Sequence, residues 1–172
     1  MPGNNITVPK NTERWLYIDT TPDQETEKYS RIGKGVTAAT PANSPTVQTQ
    51  HYIDASAPTH SITGLEKTFA LTMERYIGDG ANDYLAGLDD KTGDALKTTL
   101  VVVDLTETAS TQVTTAYPAK KYEIVVGLDQ PFSVEGGASQ AMSCTLYTNG
   151  DPVEGWFDIS DGTWSDTEPV SG

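Results

Sequence analysis

The chain has 172 residues, a length typical of one domain. It carries 24 acidic and 11 basic side chains, a formal charge of −13, and no lysine or arginine follows Lys121. Nucleic-acid-binding surfaces neutralise phosphates with clustered lysine and arginine, so this balance excludes such a surface and disfavours an anionic membrane. The longest apolar run, near residues 100–103, is far too short to span a membrane, and the single Cys144 excludes an internal disulfide.

The N-terminal part of the chain predicts strands separated by turns. Residues 14–19 alternate so that Trp15 and Tyr17 share one face while Leu16 and Ile18 share the other. Apolar side chains on both sides indicate a strand with both faces covered, as in a sandwich or an assembly.

A strand interrupted by two glycines is predicted over residues 29–36, and an unusual segment follows it. Residues 37–50 contain two prolines and no charged side chain, and predict a long extended loop before a short strand at 51–55. Loops of this length without secondary structure are uncommon in compact domains and are usually functional or disordered.

The clearest strand covers residues 68–76, where Phe69, Leu71 and Met73 point one way and small polar side chains point the other. A short helix follows, capped by Asp79 or Asn82, and ends near residue 93. The acidic residues of this segment lack the spacing of a calcium-binding loop, so helix capping is the favoured interpretation.

The second half of the chain predicts further strands at 98–105, 113–117, 121–126, 141–147 and 153–159. Asn149 and Gly150 separate the last two and are typical of a tight hairpin turn. Residues 161–172 are acidic and predict a flexible C-terminal tail.

Catalytic chemistry has little support in the sequence. No motif surrounds His51 or His60, and Cys144 lies in phase with the apolar positions of a strand, as expected for a buried thiol. Trp156 and Trp164 lie near several carboxylates and leave open a carbohydrate-binding face. We therefore expect neither an enzyme nor a bound metal or cofactor.

The order of features from residue 50 to residue 105 resembles the major tail proteins, or tail tube proteins, of long non-contractile-tailed bacteriophages (siphophages). The matching elements are a Pro/Thr-rich segment before QHYID, a Gly64-Leu65-Glu66 step into TFALTMERY, the NDYLAGL helix and the TTLVVVDL strand. The resemblance continues more weakly to about residue 160.

The resemblance implies a mainly β fold, a β-sandwich of two packed antiparallel sheets with one flanking α-helix and a long inter-strand loop, similar to the type VI secretion tube. Residues 1–160 would form one domain with an N-terminal arm at 1–13. Six copies would form a ring in which one sheet of each joins an inner barrel, and stacked rings would form the conduit for DNA ejection.

Residue roles follow from the same resemblance. The loop at 37–50, helped by the arm, would bridge to the adjacent ring, and the acidic lumen would repel the phosphate backbone. The expected ring-stacking residues are Thr37, Thr40, Pro41, Asn43, Pro45, Val47 and Gln50. The expected lumen carboxylates are Glu66, Glu74, Glu123, Asp129 and Glu135.

The expected setting is a virion tail synthesised in the bacterial host cytoplasm, with a tape measure protein and tail terminator or distal tail proteins as partners and no membrane. DNA would pass through the lumen without specific binding. The alternative is a β-sandwich module that binds carbohydrate or decorates a virion.

Overall fold

The computed structural model describes residues 8–170. One α-helix, α1 (Gly80–Ala86), and two single 3-10 turns, Asn11–Glu13 and Gly93–Leu96, accompany eight strands. The strands are β1 (Arg14–Asp19), β2 (Tyr29–Ile32), β3 (Val36–Gln50), β4 (Thr59–Glu74), β5 (Lys97–Asp104), β6 (Ala116–Gln130), β7 (Ala141–Asp158) and β8 (Thr163–Ser165).

Hydrogen bonds join all these strands into one antiparallel sheet in the order β2-β1-β5-β6-β7-β4-β3, with β8 added to β7. The predicted mainly β fold with a single helix is confirmed. Because each strand pairs with its neighbour in antiparallel register, alternate residues of every strand lie on opposite faces of this sheet.

The larger hydrophobic core shows that the sheet is strongly curved. It combines Ile18 and Ile32, from one end of the strand order, with Leu71 and Met73 of β4 near the other end. Leu85 of α1 is fully buried in the same cluster. The sheet therefore wraps around this core, and α1 packs into it.

A second, smaller core covers the other face of β1 and β5. Tyr17, Val101 and Phe157 are its buried centre, and Trp164 of β8 packs against it. The rings of Tyr17 and Phe157 are 4.5 Å apart between centroids. The prediction that both faces of residues 14–19 are covered is thus confirmed, since Ile18 lies in the larger core and Tyr17 in the smaller one.

The predicted hairpin turn at Asn149-Gly150 is wrong, because β7 continues through it. Gly150 adopts a φ of 71°, which is the backbone conformation that made the pair look like a turn. In the structure that conformation accompanies a register shift against β6, between the pairs Lys121↔Val153 and Glu123↔Asn149.

The ends of two further predicted segments differ from expectation. Helix α1 is capped by Asp79, whose carboxylate accepts a hydrogen bond from the Asn82 backbone amide, and ends at Ala86, before the predicted end. Within the segment expected to be a flexible tail, Thr163–Ser165 forms β8, because Trp164 gains burial beside Phe157.

Asn82 fixes the connection between β4 and α1. Its side chain is 2% exposed; the amide nitrogen donates to the Glu74 carbonyl, and the oxygen accepts from the Tyr76 backbone and the Arg75 guanidinium. We expect Asn82→Ala to lower the free energy of unfolding by about 1–3 kcal/mol, because it leaves buried backbone groups unpaired. Urea denaturation measures this, with the exposed Asn43→Ala as control; equal midpoints for the two variants would contradict it.

Cys144 is 1% exposed, and burial, with a smaller contribution from the charge of Asp129, raises the pKa of its thiol to about 12. A thiol in an unfolded chain titrates near pH 8.5. The unfolded state therefore loses this proton first as pH rises, and Cys144 lowers stability between about pH 8.5 and 12. We expect the free energy of unfolding of Cys144→Ala to fall less than that of the wild type as pH rises over that range. We also expect Cys144 in the native chain to resist thiol reagents at pH 8. Rapid labelling of the native chain would contradict this.

Candidate functional site

Residues 37–50, which the sequence analysis predicted to be a loop, form almost the whole of β3. The strand pairs with β4 along its full length, from Val36↔Met73 to Gln50↔Thr59. Pro41 and Pro45 are tolerated because β3 is an edge strand, where half of the backbone N–H groups have no partner in the sheet. The predicted loop is therefore one arm of a long β-hairpin.

Within residues 8–170, no strand other than β3 and β4 lies beside the distal part of this hairpin. β7 pairs with β4 only from Thr68 to Glu74, so residues 59–67 and their partners at 43–50 extend beyond the sheet. At the usual rise per residue, this two-stranded extension is about 30 Å long. A hairpin of two strands is marginally stable by itself in water, which indicates that another surface supports it.

One face of the extension carries an apolar stripe, defined here as Pro45, Val47, Ile62 and Leu65. The pairs Pro45↔Leu65 and Val47↔Ile62 are cross-strand neighbours and so lie on the same side. Val47, Ile62 and Leu65 are 53%, 69% and 62% exposed. Hairpins that pack on a hydrophobic core have apolar side chains aligned in this way, but here the aligned side chains are exposed.

The opposite face of the extension is polar. Its cross-strand pairs are Ser44↔Glu66, Thr46↔Gly64 and Gln48↔Ser61. The seven predicted ring-stacking residues are therefore divided between the two faces and the ends of β3. Pro41, Asn43, Pro45 and Val47 lie on the apolar side, Thr40 on the polar side, Thr37 at a register shift, and Gln50 at the distal end.

The polar side continues into the sheet as one exposed face, defined here as the acidic face. It is formed by alternate residues of β3, β4, the first half of β7, and residues 123–130 of β6. Thr40, Ala70, Thr145 and Gly127 lie side by side across these four strands. Their small side chains lie opposite the buried row that includes Leu71 and Cys144.

Four of the five predicted lumen carboxylates lie on this face. Glu66 and Glu74 alternate in phase with Ala70, and Glu123 in phase with Gly127. Asp129 accepts a hydrogen bond of 2.7 Å from the Thr145 hydroxyl, which places its carboxylate on the same side.

Glu135 does not follow the expected pattern. It lies in the connection between β6 and β7 instead of on a strand. The acidic face as defined contains no lysine or arginine, since Lys67 of β4 points to the other side, with its ammonium 5.7 Å from the centre of the Phe69 ring. Lys97 of β5, the strand partner of Val125, borders the face and is paired with Asp94.

The two tryptophans of the alternative hypothesis do not form one binding face. Phe157↔Trp164 and Trp156↔Ser165 are successive cross-strand pairs, so the two indoles lie on opposite faces of the sheet. Trp156 borders a groove of about 630 Å³, whereas Trp164 packs on the smaller core. A carbohydrate platform that uses both rings is thus not present.

Within residues 8–170, no group of three or more His, Cys, Asp or Glu side chains is arranged to hold a metal ion. The helices of the described part of the chain are too short and too polar to cross a membrane.

Sequence reasoning missed the apolar stripe, because the prolines and the absence of charge in residues 37–50 suggested an irregular loop. The signal that could have revealed it is the recurrence of Pro41, Pro45 and Val47 at odd positions, with Thr, Ala and Ser between them.

Neither the protein-family models nor the curated proteins give a match to this sequence. Solved structures do match the fold. A chain in the tail of an empty gene transfer agent particle, refined with C6 symmetry, has a TM-score of 0.59 and 7% identity over 84% of this chain and 97% of its own length. A chain in the virion of the native gene transfer agent particle gives 0.58 and 6%, with the same coverage.

The SPP1 tail tube is similar to a comparable degree. Its TM-score is 0.60 at 9% identity, and the match covers 91% of this chain and 81% of the SPP1 chain. Sequence identities this low carry information on the fold alone. The protein therefore has the fold found in the SPP1 tail tube and in gene transfer agent particles, as the resemblance in its sequence implied.

Proposed function

We propose that this protein is a structural virion component, a tail tube subunit whose stacked hexameric rings form the conduit for DNA ejection. The observation that carries the proposal is the acidic face, a four-stranded surface on which small side chains and carboxylates predominate, with Tyr147 as one large exposed ring and no basic residue within its four strand segments. A channel wall of this composition repels the phosphate backbone and offers it no ammonium or guanidinium to bind.

Ring closure is supported by the edges of the same four strands. In the described part of the chain, the outer edge of β3 has no partner strand, and β5 pairs with β6 only as far as Val125, so residues 126–130 of β6 have no strand on that side. Exposed edges of this kind pair readily with another strand. Pairing of β3 in one copy with this part of β6 in the next would join the acidic faces into one barrel.

The six-fold number is supported by the gene transfer agent tail, which was refined with C6 symmetry. The curvature of the sheet around the larger core further supports the sandwich arrangement that the sequence predicted, with two halves of one continuous sheet facing each other. In this arrangement the acidic face lines the lumen, and α1, which packs on the opposite face of the sheet, lies away from it.

The hairpin extension would link successive rings. Its apolar stripe requires a covering surface, and its polar side continues the acidic face along the tube. We include the N-terminal arm, residues 1–13, in this contact; its first seven residues lie outside the part of the chain that the structure describes. A tape measure protein in the lumen and terminator or distal tail proteins at the ends complete the proposed assembly in the virion.

Removal of the distal part of the hairpin extension separates folding from elongation. We expect a variant in which Asn-Gly replaces residues 47–63, joining the cross-strand partners Thr46 and Gly64, to keep the urea midpoint of the wild type, because the removed part contacts no core residue. The purified wild-type chain should form rings and tubes in negative-stain electron microscopy, and the variant rings at most. Tubes from the variant, or a wild type that stays monomeric at high concentration, would contradict the proposal.

Charge reversal on the acidic face tests the lumen assignment. We expect assembled tubes of Glu66→Lys to retain short DNA duplexes at low salt and to release them as salt rises, because a six-membered ring gains six ammonium groups. Co-sedimentation of labelled DNA with tubes measures this. The matched control is Glu25→Lys, in the exposed turn between β1 and β2. Equal DNA retention by the two variants would show that Glu66 does not face the lumen.

A further inference from the structure

Three exposed apolar side chains lie in the two connections at the end of the sheet opposite the hairpin extension. We define them together as the end patch: Ile77, Phe132 and Val134, which are 88%, 54% and 82% exposed. Ile77 follows β4, and the other two residues lie in the connection from β6 to β7.

The two connections are held together at this end. The Arg75 backbone amide donates to the Gln140 carbonyl at 2.8 Å, and the Ser133 amide donates to the Ala141 carbonyl at 2.8 Å. The Ser139 hydroxyl donates to the Glu74 carboxylate at 2.8 Å. The end patch is thus fixed to the terminus of β4. Ile62 and Leu65 of the apolar stripe belong to the same strand, with Leu65 about 30 Å from that terminus.

The segments that carry the apolar stripe and the Phe132 and Val134 part of the end patch are poor in charge, although the chain is not and although Ile77 has Glu74, Arg75 and Asp79 close to it in sequence. Residues 37–65 include one charged side chain, Asp54, and residues 130–141 include one, Glu135, whereas 20% of the whole chain is charged. Two copies that each carry −13 repel one another over most of their surfaces. Contact between copies is least opposed where the charges are absent, and this favours a second copy of this chain as the occupant.

We propose that the apolar stripe of one copy docks on the end patch of a copy in the adjacent ring; this inference rests on the proposed function. The two surfaces lie at opposite ends of one strand, so the contact is head to tail and leaves a free stripe at one end and a free end patch at the other. Heterologous contacts that do not close generate open filaments, which is the geometry that a stack of rings requires.

Three exposed valines allow the same substitution to be compared. Val47 lies in the stripe, Val134 in the end patch, and Val153 on β7 away from both; Val47 and Val153 are equally exposed, at 53%. We expect Val47→Asp and Val134→Asp each to abolish tubes while rings and the urea midpoint are retained, because each buries an unpaired carboxylate between rings. Val153→Asp should assemble as the wild type does.

A charge pair tests whether the two surfaces meet. Val47→Lys alone should abolish tubes, and the double variant Val47→Lys/Val134→Asp should recover them, because each lysine then faces an aspartate of the next ring. The control Val47→Lys/Val153→Asp should remain without tubes. Tube length in negative-stain electron microscopy is the readout.

The outcomes separate this inference from the proposed function. If the wild type forms tubes and Val134→Asp forms tubes of the same length, the end patch is not the docking surface. The proposed tube function would be unaffected by that result. Failure of the double variant to recover tubes would show that the two surfaces do not face each other. A wild type that forms no tubes contradicts the proposed function, and the docking contact falls with it.

Discussion

The register of β4 is the constraint on which the other features of this molecule depend. Phe69, Leu71 and Met73 are each at most 4% exposed, and they alternate with Ala70 and Thr72 on the opposite face. A shift of one residue would expose the apolar row and bury the polar one, so the core fixes the register strongly. Since β4 pairs with both β3 and β7, its register determines which side chains of both neighbours reach the exposed face.

If the same register continued beyond Leu65, the apolar side chains of the two strands would no longer lie on one side of the hairpin. Simple alternation from Leu65 places Thr63, and not Ile62, beside Val47. The structure inserts one extra residue, with a register shift between the pairs Thr46↔Gly64 and Val47↔Ile62. This shift moves Ile62 onto the apolar side and Ser61 onto the polar side. The bulge keeps apolar and polar side chains on separate sides of an extension that has no core of its own. This indicates that both sides contact something other than this chain.

Sequence patterns predicted those elements in which local and tertiary preferences agree. The alternation of residues 14–19 predicted a strand with two covered faces, and the pattern around Phe69 predicted a strand with one apolar face; both are present. The resemblance also supplied Glu66, Glu74 and Glu123 as lumen candidates, and the strand register of the structure brings these three to one face. The prediction that Glu135 lies on a strand is wrong, because the sequence pattern does not show where β6 ends and the connection to β7 begins.

The errors have a common physical origin, because turn-forming residues are also tolerated inside long strands. Gly150 supplies a left-handed backbone conformation that serves a register shift as well as a hairpin turn. Pro41 and Pro45 exclude a central strand but not an edge strand. The end patch had no periodic signal at all, since Ile77, Phe132 and Val134 lie in connections whose proximity depends on the pairing of β4 with β7.

Charge distribution connects the fold with its proposed assembly. A strongly acidic subunit suits a channel that must not hold DNA, yet the same charge opposes the association of its copies. The chain separates these demands in sequence: acidic residues alternate with small polar ones on the exposed face, while residues 37–65 form 29 consecutive positions with one carboxylate. In that segment, attraction between apolar side chains acts almost without electrostatic opposition, so the segment best suited to contact another copy is also the one that extends farthest from its own core.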